Sequence, residues 1–451
     1  MENGKASVQS CTTKQKHFPH YTDEIVRLNN GSFGCCPKSV LDVQSIFRQK
    51  FLARPDQYFF SGNLHNELQN ALSSITSVFK LGQDLENKLG FTENATVAGC
   101  IVARHWGLIS GSPKKFLIIT DCIYGAFRNT FLEFMPNTTT IELKLLDDGN
   151  GERSIPTNKA ELLRRFKIEW EKAVGEINTY QNGTTPAQPV EVFLILDYIS
   201  SQPAILFPVK DMLDHARSSD YHIHTFVDAA QAFLHDKFDL VSEFGDPDFA
   251  TINLHKWNFS PISVALLYHK SPALQHIIPG WNYGKGFVAE SCYTGTRDYG
   301  AYLVAPAALE FLRTWRSDEG EIARDYCERN LRIAIEKLAK SWGTMEEYFP
   351  SCDVMPPNIA MVKLPSAIPP IPDNLGPGRP GGSASTHLRT VLREQHNIEC
   401  SVAHFNGMGN YLRLSFAIYN TKEDIDSLEK VISDMTKDWN LRKSECHVKE
   451  E

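Results

Sequence analysis

Five short apolar runs punctuate the middle of the chain: KFLIIT (115–120), VFLILD (192–197), IHTFVD (223–228), FATINL (249–254) and VALLYH (264–269). Runs of this length, apolar throughout rather than alternating, predict strands buried on both faces. The longer amphipathic segments between them predict helices. An α/β fold follows, with a mostly parallel central sheet covered on both sides. Residues 38–53 and 97–108 repeat their apolar positions at helical spacing. A long helical stretch is expected from Pro306, where proline suits a first helical position, to Trp342. Beyond it, NIAMVKLP (358–365), ECSVA (399–403) and YLRLSF (411–416) predict strands, and 385–396 and 421–438 predict helices. This tail has the order of a small α+β unit.

The expected organisation is a disordered arm over residues 1–20, a large domain over 21–305, and a connecting helix with a small C-terminal domain over 306–451. The loop at 365–383, rich in Pro and Gly, reads as a spacer. Residues 28–37, LNNGSFGCCP, form a turn-rich loop near the N-terminus.

Composition removes several classes of function. A chain of 451 residues with 42% hydrophobic and 22% charged residues is ordinary for a globular protein of more than one domain. A net charge of -8 offers no basic footprint for nucleic acid and suits an anionic membrane poorly. No apolar run approaches the roughly 20 residues needed to span a bilayer. The polar N-terminus lacks the apolar stretch of a signal peptide, so a cytoplasmic location is expected. Ten cysteines are scattered without any C-x-x-C pair, so no metal site is expected.

Candidate chemistry gathers where apolar runs end in polar groups. FVDAAQ (226–231) and INLHKW (252–257) each close a strand-like run, and open α/β sheets bind ligands beyond the carboxyl ends of their strands. These residue types suit pyridoxal phosphate. Lys256 would form a Schiff base through its amine. Asp228 would face a protonated pyridine nitrogen, Gln231 the ring oxygen, and Asn253 and His255 the phosphate. An isolated His-Lys pair is more often a solvated loop; the joint pattern carries the weight.

Asn94-Ala95-Thr96 opens a helical segment, where free N–H groups bind phosphate, though a plain N-cap reads the same way. Tyr124 follows a strand and would stack on a ring, or is simply a surface tyrosine. Gly295 and Thr296 in YTGTRDYG form a phosphate-binding turn or an ordinary one. Arg413 lies inside an apolar run, where a buried guanidinium needs a partner. A substrate carboxylate fits its planar fork better than a structural ion pair.

Together these motifs resemble the class V aminotransferase family of pyridoxal-phosphate enzymes, of fold type I. The resemblance runs from about residue 26 to 438. It is carried by LNNGSFGCCP, ENATVA, DAAQ, NLHKW, TGTRD and LRLSFAIYN. It implies a mostly parallel central sheet with a small α+β C-terminal domain, and a homodimer with shared active sites. It implies Lys256 as the lysine that holds the cofactor, Asp228 as the pyridinium partner and Gln231 near the ring oxygen. Ala95, Thr96, Asn253 and His255 fall at the phosphate site and Tyr124 at the stacking position. Thr296 is a phosphate ligand given to the neighbouring subunit, Arg413 binds the substrate carboxylate, and Asn30 and Gly31 border the substrate.

Within the family the segments are similar to the branch holding isopenicillin N epimerase, plant L-cysteine desulfhydrases and fungal hercynylcysteine sulfoxide lyases. Gln202 and Ile262 depart from the pattern, Gln202 standing where relatives often carry Met. The resemblance implies an enzyme acting at Cα and Cβ of an amino acid, with β-elimination from cysteine or an S-substituted cysteine sulfoxide as the leading reaction. Alternatives are a Mannich-type ring closure, as in an aminotransferase-like enzyme of fungal loline-type alkaloid biosynthesis, and epimerisation. Persulfide chemistry is disfavoured because loop 365–383 contains no cysteine.

Overall fold

The computed structural model describes residues 13–22, 24–78, 88–108, 114–148, 152–183, 190–234, 239–368, 388–405 and 407–447. In chain order its strands are β1 (Val26–Arg27), β2 (Leu89–Thr92), β3 (Lys114–Thr120), β4 (Thr138–Leu143), β5 (Val190–Asp197), β6 (Ile223–Asp228), β7 (Phe249–Asn253), β8 (Ala265–His269), β9 (Ile359–Lys363), β10 (Ile398–Glu399), β11 (Ser401–Phe405) and β12 (Gly409–Ser415). Seven of them form one sheet in the order β2-β8-β7-β6-β5-β3-β4. β4, β3, β5, β6 and β7 pair in parallel, and β8 runs antiparallel to both its neighbours. All five expected strands are present, and the sheet is mostly parallel as expected.

Side-chain alternation along these strands builds a core on each face. Leu117, Ile119, Phe193, Ile195, Phe226 and Phe249 meet Ala98, Ile101, Val102 and Trp106 of helix Ala95–Leu108. The intervening Ile118, Val192, Leu194, Val227, Ala250 and Ile252 face Phe166 and Trp170 of helix Lys159–Asn182 and Met212 of helix Val209–Arg217. With both faces dry, ligand access falls to the ends of the strands.

β11, β12 and β9 form an antiparallel three-stranded sheet. Its Leu412, Leu414, Ala360 and Val362 pack against Leu331, Ile335 and Leu338 of helix Ala323–Trp342 and Leu428 of helix Lys422–His447. Alternation then turns Arg413 to the opposite face. β1 pairs in parallel with β10, tying the N-terminal segment to this second sheet.

Two expectations need correction. Residues 13–20 are not a disordered arm: Thr13–His17 is helical and Phe18 is fully buried, with its ring 5.4 Å from both Tyr21 and Tyr419. A single aromatic anchors the segment where the polar composition around it suggested disorder. The helical stretch 306–342 is also two helices, Ala305–Thr314 and Ala323–Trp342. The turn between them closes through an antiparallel bridge from Arg316 to Ile322, with Gly320 at φ 83°. Residues 1–12 of the arm and most of the Pro/Gly loop, from 369 to 383, lie outside the described residues.

The N-terminal loop comes closest to the large sheet at Gly34. Gly34 has φ 72°, and a Cβ there would lie 1.6 Å from the carbonyl oxygen of His255 and 2.9 Å from Cα of Lys256. Only glycine allows this approach. Gly34→Ala is therefore expected to cost about 2–3 kcal/mol from strain and overlap. Denaturant unfolding of the cofactor-free protein measures it, and an unchanged midpoint would contradict the contact.

Candidate active site

β5, β6 and β7 end side by side in Asp197, Asp228 and Asn253. Asp197 and Asp228 are register partners, so their side chains leave the sheet in the same direction. The short helix Leu254–Trp257 follows β7 at once and carries Lys256. Asp228 is buried, and its Oδ1 accepts from the Ala230 N–H at 2.9 Å. Burial raises its carboxyl above the usual range, against the pull of that N–H and of Lys256. Asp197 is equally buried and its Oδ2 has no hydrogen-bond partner. Burial, and then the neighbouring Asp228, raise it well above the usual carboxylate range.

Burial is also the main influence on Lys256, whose amine falls to about 8. Asp228 opposes the shift, Arg413 adds to it and Asp197 opposes it. An ordinary lysine is almost wholly protonated at neutral pH; this one is poised to act as a nucleophile or base.

A helix N-terminus lies beside the Asn253 end of β7. Helix Ala95–Leu108 spans 14 residues. Asn253 Oδ1 accepts from the Ala95 N–H at 2.9 Å, and Asn94 Oδ1 accepts from the Val97 N–H at 3.0 Å. Asn253 thus holds the turn in place from β7. Thr96 makes no hydrogen bond through its N–H or hydroxyl to the described residues, which leaves both for an anion. His255 Nδ1 lies 3.0 Å from the Val264 carbonyl, so Nδ1 is the donor and Nε2 is left without a proton in the neutral ring. Burial and the adjacent Lys256 lower its pKa to about 4. His255 therefore donates to a phosphate only when the phosphate charge itself draws a proton onto the ring.

Arg413, on β12 of the second sheet, lies near enough to Lys256 to influence its amine. It is buried, and among the described residues its hydrogen-bond partners are all neutral: Nη1 donates to the Ser201 carbonyl at 3.2 Å and hydroxyl at 2.8 Å, and Nη2 donates to Asn29 Oδ1 at 3.0 Å and Ser32 Oγ at 2.6 Å. Its Nε is buried without a partner. Burial, then Arg389, lowers it only to about 10, so it stays charged at neutral pH. Tyr124, 45% exposed at the start of helix Gly125–Phe134, lies close enough to oppose that shift.

The N-terminal loop completes the enclosure. Asn30 Nδ2 donates to the Lys256 carbonyl at 2.9 Å, and the Gly31 N–H donates to Ser415 Oγ at 3.1 Å. Gln231 is engaged at both ends, Nε2 donating to the Gly31 carbonyl at 2.7 Å and Oε1 accepting from Trp257 Nε1 at 2.9 Å. One amide hydrogen remains for a ring oxygen.

The structure therefore gathers Asn30, Gly31, Ala95, Thr96, Tyr124, Asp228, Gln231, Asn253, His255, Lys256 and Arg413 around one site. Thr296 makes no hydrogen bond to these residues among those described, although the next residue, Arg297, pairs with Glu93 beside the Asn94–Thr96 turn. Thr296 is exposed, its hydroxyl 3.4 Å from Tyr293. Gln202 is half-buried beside Arg413's partner Ser201, while Ile262 is 70% exposed. Sequence reading passed over Asp197, although a carboxylate closing the apolar run VFLILD is the same signal that marked Asp228. It also missed Asn29, Ser32 and Ser201, whose hold on Arg413 depends on contacts across some 200 residues or more.

The donor set fits pyridoxal phosphate. A buried acid lies at the strand end, an amine near neutrality follows it, a helix N-terminus carries an unused N–H, and a buried guanidinium carries an unused Nε. A largely parallel seven-stranded sheet with this lysine just beyond β7 is fold type I of the pyridoxal-phosphate enzymes.

Comparison with known proteins agrees. The family model for class-V aminotransferases matches residues 177–307. A probable L-cysteine desulfhydrase, chloroplastic, of Arabidopsis thaliana is 30% identical, covering 95% of this chain and 86% of that protein. The hercynylcysteine sulfoxide lyase of Schizosaccharomyces pombe is 27% identical, covering 93% and 96%. Among solved structures, a mutant of C-DES with glycine covalently linked to its cofactor superposes with a TM-score of 0.64 at 16% identity, covering 93% of this chain and 99% of that one. The complex of the cystine C–S lyase C-DES with its product cysteine persulfide gives 0.62, covering 92% and 99%. The chain belongs to the class V aminotransferase family and is a pyridoxal-phosphate enzyme.

The state of Lys256 sets a pH dependence for cofactor capture. The reactive free amine grows as pH rises through about 8 and levels off above it. At pH 6 only about one molecule in a hundred carries it. Stopped-flow absorbance after mixing cofactor-free protein with pyridoxal phosphate is expected to show this rise. Borohydride reduction is expected to fix the label on Lys256, and Lys256→Ala to abolish it.

Proposed function

We propose that the chain is a homodimeric carbon–sulfur lyase that cleaves the Cβ–S bond of L-cysteine or an S-substituted cysteine. The observation that carries this reading is the pairing of a near-neutral Lys256 amine with a buried, carboxylate-free Arg413 across one cleft. The similarity to L-cysteine desulfhydrases and a hercynylcysteine sulfoxide lyase supports it.

Bound pyridoxal phosphate supplies an electron sink conjugated to the substrate Cα. The protein supplies the rest. Arg413 takes the α-carboxylate and so sets which bond at Cα faces Lys256. Lys256 takes the Cα proton and returns a proton to the departing sulfur. Asp228 holds negative charge at the ring nitrogen, and Thr96 with its helix N-terminus holds the phosphate. For L-cysteine and water the balance is hydrogen sulfide, pyruvate and ammonia.

Transfer of sulfur to a protein thiol is less well supported. Burial pushes the Cys36 and Cys400 thiols up to about 12, far from the thiolate such a transfer needs. Cys352 is exposed, on a turn anchored by the Ser351 N–H to the Thr157 carbonyl.

A homodimer is supported by an apolar surface next to Thr296. A cleft of about 250 Å³ is lined by Phe47, Phe51, Phe59, Arg297 and Tyr299. Phe60, 73% exposed, and Trp281, 82% exposed, lie with their rings 6.5 Å apart. Apolar surface of this kind asks for a partner, and a second copy would bring Thr296 towards the neighbouring cofactor. All eight described cysteines are free, which supports a reducing compartment such as the cytoplasm. Among the described residues no helix is long and apolar enough to cross a membrane.

The holoenzyme is expected to form equimolar pyruvate and sulfide from L-cysteine, measured by a coupled lactate dehydrogenase assay and sulfide trapping. Alanine with protein-bound sulfur, instead of pyruvate, would refute the lyase reading. Light scattering is expected to give twice the chain mass, and Trp281→Glu to shift it towards the monomer.

A further inference from the structure

Residues 199–206 form a closed loop at the end of β5. An antiparallel bridge joins Ile199 to Leu206, the Ser200 N–H donates to the Ile205 carbonyl at 3.0 Å, and the Tyr198 N–H donates to the Asp228 carbonyl at 2.8 Å. The base of the loop is thus fixed beside the two buried acids. Its tip, Ser201-Gln202, reaches the other sheet. Ser201 gives both its carbonyl and its hydroxyl to Nη1 of Arg413. Gln202 Nε2 donates to Ser401 Oγ at 2.9 Å. Ser401 is the cross-strand partner of Arg413 in the pairing of β11 with β12.

Consider what this does to the guanidinium. Ser201 occupies Nη1 on one side, while Asn29 and Ser32 share Nη2. The Nε edge alone is left without a partner. A carboxylate binding in bidentate fashion therefore takes Nε together with Nη2, displacing a neutral acceptor there. This requires Ser201 to stay on Nη1, since a rotated guanidinium presents a different edge. Among the described residues, the other hydrogen bonds from the tip of the loop to these strands run through Arg413 itself, the group that it has to orient.

We infer that Gln202 is a positioning residue for substrate recognition: by tying the 199–206 loop to Ser401 it locks Ser201 onto Nη1 of Arg413 and reserves the Nε edge for the substrate carboxylate. The inference rests on the reading of Arg413 as the carboxylate site.

The test is equilibrium binding of glycine and of glycinamide to the holoenzyme, followed by the cofactor absorbance. Neither ligand has a group to eliminate, and only glycine has the carboxylate. Gln202→Met is expected to weaken glycine about fivefold, the effect of one hydrogen bond, with glycinamide and pyridoxal phosphate binding unchanged. Ser401→Ala is expected to do the same, and the double variant to be no worse than either alone. Equal weakening of both ligands, additive effects in the double variant, or unchanged glycine binding in Gln202→Met would overturn the inference. Arg413→Ala separates the two levels. It is expected to weaken glycine about a hundredfold more than glycinamide. If it weakens both equally, the reading of Arg413 fails first and the role of Gln202 fails with it.

Discussion

A guanidinium buried with no carboxylate beside it among the described residues is the constraint around which this molecule is arranged. Removing an isolated charge from water is expensive, and proteins usually meet the cost with an opposite charge. Arg413 is given only neutral acceptors, from Asn29, Ser32 and Ser201. These satisfy its N–H groups without neutralising its charge. Across the cleft, Asp197 and Asp228 lie side by side with Lys256 as a nearby cation. The site is thus strained electrostatically on both walls. A ligand with an anionic end and a ring nitrogen able to hold a proton relieves both strains at once, and a cofactor bearing an amino acid has that pattern of charge.

The same constraint explains why three distant stretches of chain converge. Asn29 to Gly34 come from the N-terminal loop, Ser201 and Gln202 from the end of β5, and Arg413 and Ser415 from β12. Gly34 sits against the backbone of the Lys256 helix, and Asn30 bonds the Lys256 carbonyl. Gly31 is held by Gln231 on one side and Ser415 on the other. The loop therefore connects the lysine of the large sheet to the arginine of the small one. A shift of the loop moves both groups together.

Much of this was legible in the sequence, for reasons that can be named. Strands buried on both faces write themselves as uninterrupted apolar runs, so β3, β5, β6, β7 and β8 were visible. Polar residues closing such runs must face a cleft, which exposed Asp228, Asn253 and Lys256, and would have exposed Asp197 by the same rule. Arg413 announced itself by standing inside an apolar run. What did not show was any property of pairs far apart in sequence. The partners of Arg413 are serines and an asparagine that look like ordinary loop residues, and the engagement of Gln231 with Gly31 and Trp257 depends on the fold. β4, read TTTIEL, was missed because its mixed composition at the sheet edge lacks the apolar signature. Phe18 shows the converse: one buried ring orders a segment whose composition reads as disordered.

The chemistry divides in the same way between what the cofactor fixes and what the chain fixes. An electron sink at Cα is common to elimination, epimerisation and ring closure, so it does not choose among them. The chain chooses through the placement of proton donors and of the carboxylate. On the proposed reading, a one-base site in which Lys256 serves Cα and Arg413 fixes the carboxylate returns a proton to the face from which it came. That arrangement suits loss of a group from Cβ better than inversion at Cα, which needs a donor on each face. Among the described residues the opposite wall offers an exposed Tyr124 and a guanidinium that stays charged at neutral pH. The guanidinium holds its proton there. The buried thiols are held as thiols by the same burial that lowers Lys256. Desolvation thus has two effects on the outcome, making the lysine a competent base and the buried cysteines poor acceptors, and both favour release of sulfur over its retention.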